Sequence, residues 1–235
     1  MLDGLTKYYN HFLALDNLTL KIGNGESVAL LGPNGAGKTT ALKIVCGVLR
    51  PTRGEVYIEG KSVLRERERA LSEIGAILET PEFYPFLTAA ETLEYLGRLR
   101  GMPAADLAER IGKVLEMVKL QEWKDVKVGK FSRGMKQRLA VAQALLHDPP
   151  VLVLDEPMLG LDPRGVVEVR EILRRERGRK TILFATHQLS EAVQVCEKIA
   201  IIEGGKLRAY EKLGELRRRY GSLEKAYLKL TEVAA

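Results

Sequence analysis

The chain has two cysteines, no metal-binding spacing of Cys and His, and no apolar run near the ~20 residues that cross a bilayer. Its longest clean apolar runs, Val151–Leu154 and Ile199–Ile202, are strand-sized. Cys46 and Cys196 sit in apolar helical patterns and read as buried free thiols. The start, MLDGLTKYYN, has neither the basic segment nor the apolar stretch of a secretory signal, so the expectation is a cytoplasmic chain. Internal repeats and low-complexity tracts are missing. Asn and Gln are few beside Arg, Lys and Glu, a balance that leans towards a heat-adapted source.

What is present is a soluble globular balance: 235 residues and 26.2 kDa, 46% apolar and 29% charged. That suffices for one large α/β domain, or a core with an inserted lobe. The net charge of +6 asks for an anionic partner: a nucleotide, lipid headgroups or nucleic acid. The basic runs at Arg65–Arg69, Arg174–Lys180 and Arg217–Arg219 lie in mixed-charge helical text, which reads as solvated helix faces more than as a nucleic-acid stripe.

Residues Asp3–Ile22 alternate polar and apolar and end in the turn GNGE, which is hairpin text. SVALLG (Ser27–Gly32) predicts a buried strand and Thr40–Leu49 a helix. A further antiparallel strand is expected within Arg50–Val63, then a helix over Arg65–Ser72 and a strand over Ile74–Leu78. Helical text follows from Thr88 to about Val118, interrupted at Gly101–Pro103 and opened by the capping box Thr88/Glu91. A second helical stretch covers Met135–His147. The alternation then resumes: strand Val151–Asp155, helix Val166–Arg177, strand Thr181–Thr186, helix Leu189–Glu197, strand Lys198–Leu207. Strands alternating with helices predict a mostly parallel sheet. Residues 80–150 interrupt that alternation as an inserted helical lobe, residues 1–79 and 151–209 form the core, and 210–235 form a helical tail.

Between the first buried strand and its helix lies Gly32-Pro33-Asn34-Gly35-Ala36-Gly37-Lys38-Thr39-Thr40, which fits G-x-x-x-x-G-K-[ST]. Strand, glycine-rich loop and helix make a phosphate cradle. Backbone N–H groups point at phosphate oxygens and the helix adds its positive end. Lys38 is placed for the β- and γ-phosphates and the Thr39 hydroxyl for Mg²⁺. The strand VLVL delivers Asp155 and Glu156 to the C-terminal sheet edge beside this loop. Asp155 there suits a magnesium-holding role and Glu156 that of a general base for water.

Together these motifs resemble the nucleotide-binding subunit of an ATP-binding cassette (ABC) transporter, along nearly the whole chain. FSRGMKQR (Phe131–Arg138) is similar to the family signature LSGGQ-x-Q-R; Glu79 stands at the Q-loop, GLDP (Gly160–Pro163) at the D-loop, and His187 at the switch histidine. The resemblance implies a P-loop NTPase (RecA-like) α/β fold with a mostly parallel core, an N-terminal antiparallel β subdomain and the inserted helical lobe. It implies ATP and Mg²⁺ as ligands. Tyr9, with Tyr8 as near alternative, would stack on adenine; Glu79 would join Thr39 and Asp155 at the metal; His187 would sense the γ-phosphate. Ser132 and Gly134 would bind the nucleotide of an opposing cassette, with Asp162 at that interface. Partners would be a second copy or a homologous cassette and separate transmembrane permease subunits, with the chain peripheral on the inner face of the membrane.

Three motifs depart from the pattern: the signature at Arg133 and Met135, the Q-loop with Glu79 in place of glutamine, and the stretch before the D-loop glycine with Met158-Leu159. They resemble the branch serving drug, lipid, antibiotic or polysaccharide exporters, as does the tail Gly221–Glu232. A soluble cassette acting on nucleic acid or ribosomes is the competing expectation. A single cassette without a coiled-coil insertion or a linker to a second cassette argues against it. A P-loop kinase fits worse still, given the signature stretch and Glu156 beside Asp155.

Overall fold

The computed structural model describes residues 1–231. Strand β1 (Leu2–Tyr9) turns at Asn10 (φ 53°) into β2 (Phe12–Leu20), and the two pair antiparallel. The buried strand β3 (Ser27–Leu31) runs into the glycine-rich loop and helix α1 (Lys38–Val45). Strands β4 (Arg53–Ile58) and β5 (Lys61–Ser62) follow, then α2 (Arg67–Ser72) and β6 (Ile74–Ile77). Three longer helices come next: α3 (Ala89–Leu99), α4 (Ala104–Met117) and α5 (Arg133–Leu145). The chain then alternates β7 (Val151–Asp155), α6 (Pro163–Glu176), β8 (Thr181–Ala185), α7 (Leu189–Val195), β9 (Lys198–Glu203) and β10 (Lys206–Lys212). It ends in α8 (Leu213–Tyr220) and α9 (Leu223–Thr231).

Two sheets result. The antiparallel sheet has the order β2-β1-β4-β5; the main sheet has the order β10-β9-β3-β8-β7-β6, parallel except for β10. This is the expected mixed α/β class. The inner strands of the main sheet are apolar apart from their end residues Ser27, Asp155, Thr181, Lys198 and Glu203, because both faces are covered. Side chains alternate between the two faces. Val28, Leu30, Val153, Leu183 and Ile202 pack towards the antiparallel sheet and α1, with Leu5, Leu15 and Leu42. Ala29, Leu31, Leu154, Phe184 and Ile201 pack towards the helices, with Leu139, Val169 and Val195.

The Thr88 capping box forms in full: Glu91 N–H donates to Thr88 Oγ1 (3.1 Å) and Thr88 N–H to Glu91 Oε2 (2.7 Å). Other boundaries move. Helix α5 starts at Arg133, two residues before the expected Met135, because the Ser132 hydroxyl caps it. Helix α2 starts at Arg67 rather than Arg65, and α1 already at Lys38. The expected strand Lys198–Leu207 is two strands folded back at Gly204-Gly205, whose φ of 56° and 76° reverse the chain. The expected helical tail therefore begins as the end of β10. Its last residues, 232–235, lie outside the described residues. Both free cysteines follow a helix rather than sit within one. Cys196 is buried, whereas Cys46 is half-buried instead of fully enclosed.

The basic runs are laced with carboxylates. Arg174 pairs with Glu171, Arg177 with Glu197 and Arg219 with Glu211. Among the described residues, no helix is long and apolar enough to cross a membrane.

Candidate active site

Strands β3 and β7 end at the same edge of the main sheet, with β8 between them. Their following loops therefore meet at one cleft of about 560 Å³. Asn34 to Thr40 form one wall; Tyr9, Glu79, Asp155, Glu156 and His187 line it as well. Gly32 and Pro33 lie behind it, where their carbonyls accept hydrogen bonds from Lys38 Nζ at 2.6 and 3.0 Å.

The loop geometry requires glycine at position 37. Its φ is 104°, and a Cβ there would stand 2.6 Å from the Ala14 carbonyl oxygen. Helix α1 starts from this residue with no side-chain cap, so its N-terminal N–H groups are left for an anion. Lys38 is only 8% exposed, and burial pushes its ammonium down while the charges of Glu156 and Asp155 oppose the shift. Asp155 is 6% exposed. Burial raises its carboxyl above the usual range; the Thr39 hydroxyl, donating at 2.7 Å, pulls the other way. A buried carboxylate joined to a hydroxyl beside a phosphate cradle is a hard-oxygen site that gains from a cation. No cluster of three or more His, Cys, Asp or Glu able to hold a metal occurs among the described residues. The donor set therefore suits a cation that arrives with phosphate and water ligands, as Mg²⁺ does.

Glu156 follows the end of β7 with φ 45°, held there by its N–H donating to Ala185 O (2.9 Å). Its carboxylate accepts from the backbone N–H of His187 (2.9 Å) and the Thr186 hydroxyl (3.0 Å). The His187 ring is also in contact, with Nδ1 2.7 Å from Glu156 Oε1. Glu79, at φ 61°, is ion-paired with Lys43 of α1, and that contact raises the Lys43 ammonium. The negative charge that replaces glutamine at this position thus meets a cation from the neighbouring helix.

Ser132, Gly134 and Asp162 do not join this cleft. Ser132 Oγ accepts from Met135 N–H (3.2 Å) and Asp162 Oδ1 from Gly165 N–H (2.9 Å), each capping its own helix at the surface. Arg133, between the two signature residues, borders the cleft and packs over Gly160.

Sequence reasoning missed Phe12 and Gln137. Phe12, 63% exposed, faces Tyr9 across the β1–β2 turn and lines the cleft, whereas Tyr8 does not. An aromatic opening the second strand of the hairpin was the available signal. Gln137, buried in α5, donates to Pro157 O at 2.9 Å and so ties the helix to the loop carrying Glu156.

The model of the ABC transporter family matches residues 15–159. The uncharacterized ABC transporter ATP-binding protein YxlF of Bacillus subtilis (strain 168) is 42% identical over 93% of this chain and 72% of its own length. The Nod factor export ATP-binding protein I of Ralstonia nicotianae is 37% identical over 91% of this chain and 67% of its own length. A dimeric ATP-binding cassette, MJ0796, in a post-hydrolysis state bound to ADP and Pi, superposes with a TM-score of 0.82. It is 29% identical, over 90% of this chain and 97% of that one. A cleft built from a phosphate loop, a buried aspartate and a glutamate at the strand end is therefore met by relatives of the same kind: the chain belongs to the ABC transporter family, as an ATP-binding, ATP-hydrolysing subunit.

Proposed function

We propose that two such cassettes close head to tail around ATP and drive export through separate membrane subunits, which hold the chain at the inner face of the membrane. The observation that carries this reading is the split of the phosphate-binding parts. The loop 32–40, Asp155, Glu156 and His187 share one cleft, while Ser132, Gly134 and Asp162 stand on the surface outside it. A second cassette with its P-loop facing Ser132 and Gly134 brings the two halves together. Tyr9 and Phe12 form the aromatic wall for adenine. Lys38 leaves the carbonyls of Gly32 and Pro33 for the β- and γ-phosphates. Glu156 takes the proton of the attacking water, and His187 passes from Glu156 to the γ-phosphate. Thr39, Asp155 and Glu79 are the residues to hold Mg²⁺, which supplies positive charge against the β- and γ-phosphate oxygens.

Export as the direction follows the relative named for it. The membrane subunit has a suitable landing place in the lobe. Tyr84, Phe86 and Leu99 are 53%, 63% and 67% exposed, and the Tyr84 ring lies 5.5 Å from Phe86 and 5.9 Å from Tyr95 between centroids. An exposed aromatic cluster of this kind suits an apolar partner helix. It follows Glu79 directly in the chain, so a push on it reaches the nucleotide cleft. The pairing of Arg174, Arg177 and Arg219 with carboxylates counts against a nucleic-acid stripe.

Glu156→Gln tests the centre of the reading. It should bind ATP within about twofold of wild type, lose hydrolysis by about 10²–10³, and accumulate an ATP-bound dimer. Wild-type turnover in that variant removes Glu156 from the role.

A further inference from the structure

The Thr186 hydroxyl makes more contacts than its single proton can serve. Its Oγ1 accepts from Gln188 N–H at 3.1 Å. It lies 3.0 Å from Glu156 Oε2 and 3.0 Å from Glu191 Oε2. A hydroxyl has one proton to donate and two lone pairs. With both carboxyl groups ionised, one of them would face the hydroxyl oxygen lone pair to lone pair. This would happen in a buried place, for Thr186 is 0% and Glu191 7% exposed.

All contacts are satisfied in one arrangement. Glu191 Oε2–H donates to Thr186 Oγ1, Gln188 N–H donates to the same oxygen, and the Thr186 proton goes to Glu156 Oε2. We propose that Glu191 is a positioning residue for ATP hydrolysis: as the neutral acid it commits the Thr186 hydroxyl to Glu156 and so holds that carboxylate in the rotamer facing the γ-phosphate side of the cleft. The inference rests on the reading of Glu156 as general base. The surroundings of Glu191 favour the neutral form. Burial is the main cause raising its carboxyl above the usual range, and the Glu156 charge adds to it. The Thr186 hydrogen bond, His187 and Arg170 oppose. Two carboxyl groups on either side of one hydroxyl thus divide the work, one neutral and one charged.

Ionising Glu191 reverses the arrangement. Its oxygen then competes for the single Thr186 proton, and Glu156 loses a donor. In this chain under saturating MgATP, kcat should fall about fivefold on the alkaline side as Glu191 titrates, with KM little changed. Glu191→Gln keeps a neutral donor towards Thr186. It should match wild-type kcat within about twofold at neutral pH and lose the alkaline decline. Infrared difference spectra of wild type against E191Q should show a protonated-carboxyl C=O stretch at neutral pH that fades over the same pH range as kcat. Absence of that band at neutral pH overturns the inference, without any need for turnover. Superimposable kcat–pH profiles overturn it too, when Glu156→Gln is inactive. Unchanged turnover in Glu156→Gln overturns instead the reading of Glu156 beneath it.

Discussion

The two stretches proposed to meet phosphate, each at a helix start, are built in opposite ways. The loop before α1 exposes Asn34 and Gly35 but buries Ala36, opens its helix without a side-chain cap, and keeps a buried lysine folded onto its own carbonyls. The signature before α5 is on the surface, and its serine caps the helix itself. On the proposed reading the first meets phosphate with uncapped N–H groups and a lysine of the same chain. In the second the Ser132 oxygen accepts from Met135 N–H, and its own proton remains to be donated. If the proposed roles hold, the difference separates two tasks: the first binds a nucleotide in the isolated chain, and the second gains a ligand only when another molecule carries one to it.

Removing the buried cation should do the most damage. In Lys38→Ala the phosphates should lose a charge-assisted donor at the first stretch, and ATP affinity should drop about 10²-fold in a fluorescent-nucleotide titration. A change under about threefold would mean that the loop's N–H groups suffice, and that the two sites are less different than their burial indicates.

Ser132→Arg attacks the other side. The cap is lost, at a stability cost of about 1 kcal/mol. Nucleotide binding by the monomer should stay within about twofold, since Ser132 lies outside the chain's own cleft. The ATP-bound dimer trapped by Glu156→Gln should weaken at least tenfold in sedimentation experiments. Dimers of unchanged strength in the double variant would place the signature away from the interface.

How much of this was legible depended on whether the parts are contiguous. Gly32–Thr40 lies in one stretch, and so do Asp155 and Glu156, so loop chemistry and strand period identified them. The fold class followed from the alternation of strands and helices, since buried parallel strands must be apolar throughout. Phe12 stayed hidden because only the Tyr9–Phe12 pairing brings it to the cleft. The Lys43–Glu79 pair joins a helix to a distant loop and leaves no local pattern. The Thr186–Glu191 contact depends on how the chain turns into α7. The split of β9 from β10 was missed because both halves are strand-like, and only two glycines at positive φ mark the reversal.

The junction of α5, α3 and β6 allows a smaller test. His147, just past α5, places Nε2 3.1 Å from Ile74 O in β6 and 3.1 Å from Arg100 Nη1 at the end of α3. Burial, and then the Arg100 charge, push its imidazole down to about 4. In the unfolded chain it titrates near the ordinary value of about 6.5. Between these values the unfolded state binds the extra proton, so stability is lost as pH falls from about 6.5 to about 4 and is unaffected by this group above that window. The half-buried ring keeps the loss to about 2 kcal/mol. Urea midpoints of wild type and His147→Gln, compared at several pH values, should differ by a constant amount above pH ~6.5 and converge or cross below it. ATP affinity at neutral pH should remain within about twofold in this variant, because neither phosphate site is touched. Parallel stability curves across the whole range would show that this junction does not exclude a charged histidine.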